Sequence, residues 1–213
     1  NKIFSLVIPI GKSVNRFSYS NRTSDGYRHN TDYAISTFFC RSAINLKAGN
    51  ITLVGGITDK DFGANEFYTP GKYPNQRENT QAVFLGLQHF LKPDWGRLRS
   101  KISWRRHKDR FILDHTLEPN DPAYYQNDHR TQSYTAESQA TIEAAFFTPN
   151  LGLEIGRESI NSNSLGDHFR NRLGLYFEGR KKIEKMSLTS EVSMFYYSDW
   201  DWICLPAIDL ACH

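Results

Sequence analysis

The chain has 213 residues, and its 26 Lys and Arg against 23 Asp and Glu leave a formal charge of +3, too small and too evenly spread to point to nucleic acid. Aromatic residues make up 14% and charged residues 23%, unlike the aromatic-poor composition of disordered chains. No stretch approaches the ~18 apolar residues of a membrane helix, and the longest, Leu6-Val7-Ile8-Pro9-Ile10, is broken by proline.

The chain opens on Lys2 and an apolar run to Ile8. That run is shorter than the ~7–15 residues of a signal-peptide core, and no small-residue cleavage site follows. With no initiator Met, the sequence reads as a piece of something processed or longer. Helical periodicity is nearly absent beyond this point. Alternation of period two recurs instead, the mark of strands whose two faces meet different surroundings. It predicts strands at 2–9, 14–22, 33–46, 51–58, 80–91, 97–106, 132–147, 151–158, 168–179 and 186–197, with 203–213 as an eleventh candidate. In 97–106, Leu98, Ile102 and Trp104 oppose Arg99, Lys101, Ser103 and Arg105. In 132–147, Tyr134, Ala136, Ala140, Ile142, Ala144 and Phe146 oppose Ser133, Thr135, Glu137, Gln139, Thr141 and Glu143. In 168–179, Leu173, Leu175 and Phe177 oppose Arg170, Arg172, Tyr176 and Glu178.

The connections alternate as well. Short turns at 10–13, 47–50, 92–96, 148–150 and 179–185 interleave with longer loops at 23–32, 59–79, 111–131 and 159–167, and 198–202 is ambiguous. In an up-and-down antiparallel sheet this trims one end and decorates the other, the plan of an outer-membrane β-barrel. Strands of ten to fourteen residues at ~3.3 Å each, tilted by about 40°, reach roughly 25–35 Å along a barrel axis, enough for the apolar band. The fold class expected is therefore all-β, an antiparallel up-and-down transmembrane β-barrel. The last residues, Ala211-Cys212-His213, do not supply the aromatic ending usual for a terminal barrel strand. The ten strands accordingly read as part of a larger barrel.

Several segments resemble TonB-dependent outer-membrane receptors, particularly those of the Bacteroidetes type. They are Asn21 to Tyr33 (Asn-Arg-Thr-Ser-Asp-Gly-Tyr-Arg-His-Asn-Thr-Asp-Tyr), Phe62 to Pro70 with the following Tyr73 to Thr80, Trp104 to Phe111, Leu165 to His168, and Tyr196 to Asp199. They follow one another in family order and span nearly the whole chain. The resemblance implies a 22-stranded barrel closed by an N-terminal plug, of which residues 1–213 supply about the first half of the barrel. The plug, the box that contacts TonB and the closing strands are not in this sequence. It further implies TonB-energised uptake of a scarce solute, with a cobalamin or an iron-siderophore complex favoured. The implied partners are that ligand, outer-membrane lipid, and the TonB complex through the plug.

The chemistry-bearing residues point to binding rather than catalysis. Phe67, Tyr68 and Tyr73, with Pro70 and Pro74, and Tyr124 and Tyr125, with Pro119 and Pro122, fall in the two longest loops. Tyrosine pairs apolar area with a hydroxyl and proline stiffens the loop, a composition suited to gripping a ligand, though loops packing on themselves would show it too. Arg99, Arg105, Glu137 and Glu143 are candidates for a polar lumen. Trp95 and Trp104 suit an interfacial girdle, and Trp200 and Trp202 sit at a strand end. His107 with Asp109, and Asp114 with His115, lack a third orienting group for acid–base work and read as solvated faces. Asp59, Asp61 and Glu66 do not have the spacing of a calcium loop. Cys40, Cys204 and Cys212 form no close pair and read as small apolar fillers. No catalytic residue, resident metal or cofactor is expected. The alternative from another class is a soluble all-β ligand-binding module, of the carbohydrate-binding or adhesin kind, that uses the same aromatics as a platform.

Overall fold

The structure, a computed structural model, describes residues 1–144 and 147–212. Eleven strands follow in chain order: β1 (Lys2–Ile10), β2 (Ser13–Ser24), β3 (Tyr33–Leu46), β4 (Gly49–Gly63), β5 (Arg77–Leu91), β6 (Gly96–Ile112), β7 (Gln126–Ile142), β8 (Thr148–Ser162), β9 (Gly166–Ile183), β10 (Met186–Tyr197) and β11 (Asp201–Cys212). They form one sheet in the order β1 to β11, each strand hydrogen-bonded to its sequence neighbours. The expected ten strands and the eleventh candidate are all present. Of the residues expected in them, Ala145, Phe146 and His213 lie outside the described residues.

Every neighbouring pair is antiparallel, so consecutive connections fall at opposite ends of the sheet. One end carries 11–12, 47–48, 92–95, 143–147 and 184–185; the other carries 25–32, 64–76, 113–125, 163–165 and 198–200. The first set is tight for a steric reason. Gly49 and Gly96 start strands so close to the neighbouring chain that a side chain there would collide with the carbonyl oxygen of Phe90 or of Thr141.

The strands are longer than the alternation suggests, mostly at the loop end. β6 and β7 continue to Ile112 and back to Gln126, where the sequence suggests a loop at 111–131; the expected loop at 159–167 shrinks to three residues, and the ambiguous 198–202 holds a connection of three. The expected turn at 148–150 is strand: Thr148–Asn150 open β8, and the connection from β7 precedes them. The cause of the long loop-end strands is that alternation reports a difference between two solvents. Beyond the apolar zone both faces of the ladder are polar, as at Arg106-His107-Lys108-Asp109-Arg110, so period two vanishes while hydrogen bonding continues.

Unbroken register fixes which residues share a face, because directly paired residues point the same way. One face carries an apolar band through Phe17, Cys40, Leu53, Leu85, Ile102, Ala136, Ile155, Leu173 and Tyr196. On β5 it runs from Leu91 to Val83, about 25 Å along the strand at ~3.3 Å per residue. Leu175 sits inside it, opposite Leu153 and Met194. The other face carries Arg99, Lys101, Arg105, Glu137, Gln139, Glu154, Arg170 and Arg172.

A single layer cannot enclose a hydrophobic core of its own. Among the described residues the one buried hydrophobic side chain is Ala64, in a loop, whereas Leu53, Leu85, Ile102 and Ile155 are each more than half exposed. The apolar face therefore needs an apolar medium outside the sheet.

Leu175→Arg places a charge in the centre of the band, at a cost of about 2–4 kcal/mol in lipid. We expect this variant to lose the heat-modifiable gel mobility of an assembled barrel in the full-length protein, and assembly equal to the parent would reverse the facing. From sequence alone Arg172→Leu looks nearly silent; the structure changes that expectation. Arg172 lies 2.5 Å from Glu154 and 3.5 Å from Glu158, and the Glu154 side chain is only 15% exposed. Removing the cation strands that carboxylate, so we expect a loss of about 1–3 kcal/mol in urea unfolding.

Candidate functional site

Three connections at the long end form one structure. Asn30, in the loop after β2, donates through Nδ2 to the carbonyls of Pro74 (2.9 Å) and Gln76 (2.5 Å) in the loop after β4. The Gly63 Cα lies against Asn30, and any side chain at position 63 would clash with it. Gln76 is fully buried: its Nε2 donates to Thr69 Oγ1 at 2.8 Å and its Oε1 accepts from the Tyr68 amide at 3.3 Å. The loop after β6 joins through Asp114, which accepts from Asn75 Nδ2 at 3.2 Å, and through the His115 amide, which donates to the Asn75 carbonyl at 3.1 Å. Beneath them Arg77 spans Asp32 and Asp61. The Asp114 carboxyl is held below its usual range, first by the Thr116 hydroxyl and also by Asn75, which keeps it an acceptor at neutral pH.

This packing divides the loop aromatics. Tyr68 is tied down: its ring meets Phe111 edge-on at 5.2 Å and its hydroxyl donates to Glu78. Burial and then Glu78 push its pKa up to about 12. Phe67 stands edge-on to Tyr68 at 4.9 Å with 75% of its surface in solvent. Tyr73 carries the Lys72 ammonium over its ring, Tyr124 donates to Gln126 Oε1 at 2.6 Å, and Tyr125 is exposed. Among the described residues no ring contact joins the aromatics of 64–76 to Tyr124 or Tyr125, so they do not form one platform.

The polar face below the loops is a ladder of paired charges. Lys101 meets Glu137 at 2.7 Å, Arg99 donates to Gln139 Oε1 at 2.6 Å, and Arg170 forks onto Asp199 with Nη2 at 2.7 Å. Arg105 has no ion pair and faces a recess lined by Thr131, Ser133, Glu158, His168 and Arg170. Glu143 lies just past the end of β7 at the short-turn end, 3.9 Å from Arg97, away from the other three lumen candidates. The face is also not uniformly polar. Across β3 to β5 it carries Phe39, Val54 and Phe84, with the Phe39 and Phe84 rings 6.3 Å apart over Gly56.

Sequence reasoning misses the hub residues Asn30, Asn75 and Gln76 and sets Asp114-His115 aside as a solvated pair. Amides carry no periodic signal, and their partners lie about 40 residues away. Asp59 and Asp61 accept from Gln81 and Arg77, and Asp109 shares the polar face with His107. Trp104 stands on the apolar face directly opposite Tyr134, and two more aromatic pairs share that face, Tyr19 with Phe38 and Tyr196 with Trp202.

No protein-family model and no curated protein matches this sequence. Solved structures do match its fold. The siderophore receptor PirA from Pseudomonas aeruginosa superposes with a TM-score of 0.80 at 13% identity, over 99% of this chain and 36% of that one. The outer membrane transporter YddB from Escherichia coli gives 0.72 at 13% identity, over 98% and 35%. The FrpB iron transporter from Neisseria meningitidis gives 0.73 at 12% identity, over 97% and 39%. The chain thus spans well under half the length of the structures it resembles, and the likeness is one of fold.

The loop geometry makes a prediction for Tyr68. The difference between the ultraviolet phenolate titrations of the parent and of Tyr68→Phe should show one tyrosine ionising near pH 12, and Glu78→Gln should move it towards the usual value near 10. A Tyr68 that titrates near 10 in the parent would mean that the loop does not bury it.

Proposed function

We propose that this chain is part of the barrel of a TonB-dependent outer-membrane receptor, one that takes up a solute too large for porins. The observation that carries the reading is the single-layer sheet with an apolar band on one face, a largely polar opposite face and, among the described residues, no core of its own. Lipid on one side and a wet lumen on the other satisfy both faces, whereas a soluble module would leave the band in water. β1 and β11 pair on one side only among the described residues, and further strands of a larger barrel would satisfy their free edges. The structures that share the fold include receptors and transporters for siderophores and iron, which supports the same role here.

In this reading the loop assembly around Asn30 and Gln76 is the rigid frame of the outer mouth, and exposed side chains on it make first contact with the ligand. Phe67 is the candidate for grip and Tyr68 the residue that positions it. Arg105 and its recess offer the ligand an unpaired cation, while Lys101–Glu137 and Arg172–Glu154 are already neutralised. A carboxylate-bearing or catecholate ferric siderophore fits such a cation better than the cobalamin also considered. Energy transfer from TonB requires a plug domain, and we assign that to the full-length receptor.

The test is growth of a strain lacking the full-length gene. We expect it to fail on one ferric siderophore as sole iron source while still using cobalamin. Growth indistinguishable from the parent on every ferric siderophore tried, with cobalamin use lost, would overturn the iron reading. In ligand titrations of the complemented receptor, Phe67→Ala should weaken binding by about 5–30-fold with no change in heat-modifiable mobility.

A further inference from the structure

Beyond the loop-side edge of the apolar band, the outward face gathers cations on three adjacent strands. Arg106 and Lys108 on β6, Arg130 on β7 and Arg157 on β8 all share the face of Trp104, Tyr134 and Ile155. Lys108 and Arg130 are directly paired across the ladder, an arrangement of like charges that costs stability when nothing lies between them. Neither has an ion pair or a side-chain hydrogen bond among the described residues. Arg157 lies over the Phe169 ring at 4.8 Å, and Arg106 donates through Nη2 to Gln81 Oε1 at 3.2 Å while its Nε is buried without a partner among them.

The acids of this face do not offset the cluster. Asp128 is taken by Arg110 at 2.9 Å and by Gln126. Asp59 accepts from Gln81 Nε2 at 2.9 Å, and Asp167 is held by Asn161. Gln81 and Asn161 are also the residues that flank the Lys108–Arg130 pair, one on each neighbouring strand. Together they frame an outward groove that holds both cations.

Height decides what fills it. Lys108 lies four residues beyond Trp104, about 10 Å above the end of the band once strand tilt is allowed for, which is the depth of lipid headgroups. We propose that Lys108 and Arg130, with Arg106 and Arg157 below them, form a binding site for the phosphate-bearing headgroup of an anionic lipid in the leaflet that faces the loops. The acyl chains of that lipid lie on the apolar face under Trp104 and Tyr134, and its phosphate sits between the two opposed cations. Counter-charge from the headgroup removes the repulsion that the sheet otherwise carries. The inference rests on the membrane reading of the apolar face.

The test uses the full-length receptor in dodecyl-maltoside micelles, with energy transfer from tryptophan to dansyl-labelled phosphatidic acid as the readout and phosphatidylcholine as the neutral comparison. The parent should bind phosphatidic acid in preference to phosphatidylcholine. Lys108→Ala with Arg130→Ala should lose that preference by about 30-fold, near fivefold for each cation removed. Arg22→Ala, on the opposite face, should change nothing. Heat-modifiable mobility separates the two claims: a parent that assembles as a barrel yet shows no preference overturns this site alone. A double variant that binds like the parent overturns it too, as does inorganic phosphate that displaces the probe at equal concentration, since the lipid part would then contribute nothing.

Discussion

Each strand from β2 to β10 is hydrogen-bonded to a neighbour on both sides, and each strand carries two faces that cannot share one solvent. The ladder satisfies the backbone without water, which is what permits a sheet to stand in hydrocarbon. The side chains then sort themselves by the solvent each face meets. Where the outer solvent is apolar, Leu53, Leu87, Ile102, Ala136, Ile155 and Leu173 occupy successive pairings; where it becomes aqueous, the same face passes to Asp59, Gln81, Arg106 and Gln132. The boundary between those sets, marked by Trp104 opposite Tyr134, organises the rest of the molecule.

Stability in such a sheet comes from different terms than in a globular domain. With no enclosed core, the ordered parts are held by ladder hydrogen bonds, by charge pairs along the polar face and by amide hubs at the loops. Glu154, held by Arg172 and Tyr176, and Gln76, beneath Tyr68 and Thr69, are polar groups committed to partners inside the protein. Both are poor candidates for ligand contact. In the proposed reading, ligand contact falls instead to less committed side chains: Phe67 at the mouth, Arg105 in the recess, and on the outer face the Lys108–Arg130 pair.

The membrane-crossing middle of each strand was legible in the sequence because two solvents impose a period of two. The faces of β6, β7, β9 and β10 follow from residues such as Ile102 against Lys101 and Leu175 against Tyr176. The loop-side extensions were not legible, since Lys108 and Asp109 are equally polar and look like loop. The turn at 148–150 was misplaced because Pro149 reads as a breaker, although it sits near the start of a strand, where its missing donor is tolerated. The loop hub was invisible for a further reason. Asn30 and Asn75 act through hydrogen bonds to residues distant in sequence and Gln76 through bonds inside its own loop, none of which leaves a periodic pattern. The aromatics Phe67 and Tyr68 stand out by composition, and only the structure separates the ring anchored on Phe111 and Glu78 from the freer one.

The most direct test of the account is spin labelling at successive positions from Ser133 to Thr141 on β7 of the full-length protein in lipid bilayers, with accessibility to oxygen and to a water-soluble nickel chelate. The account predicts a period of two, with labels at Tyr134, Ala136, Ser138 and Ala140 reached by oxygen and those at Ser133, Thr135, Glu137, Gln139 and Thr141 reached by nickel. The opposite phase, or equal nickel accessibility along the whole strand, would contradict it.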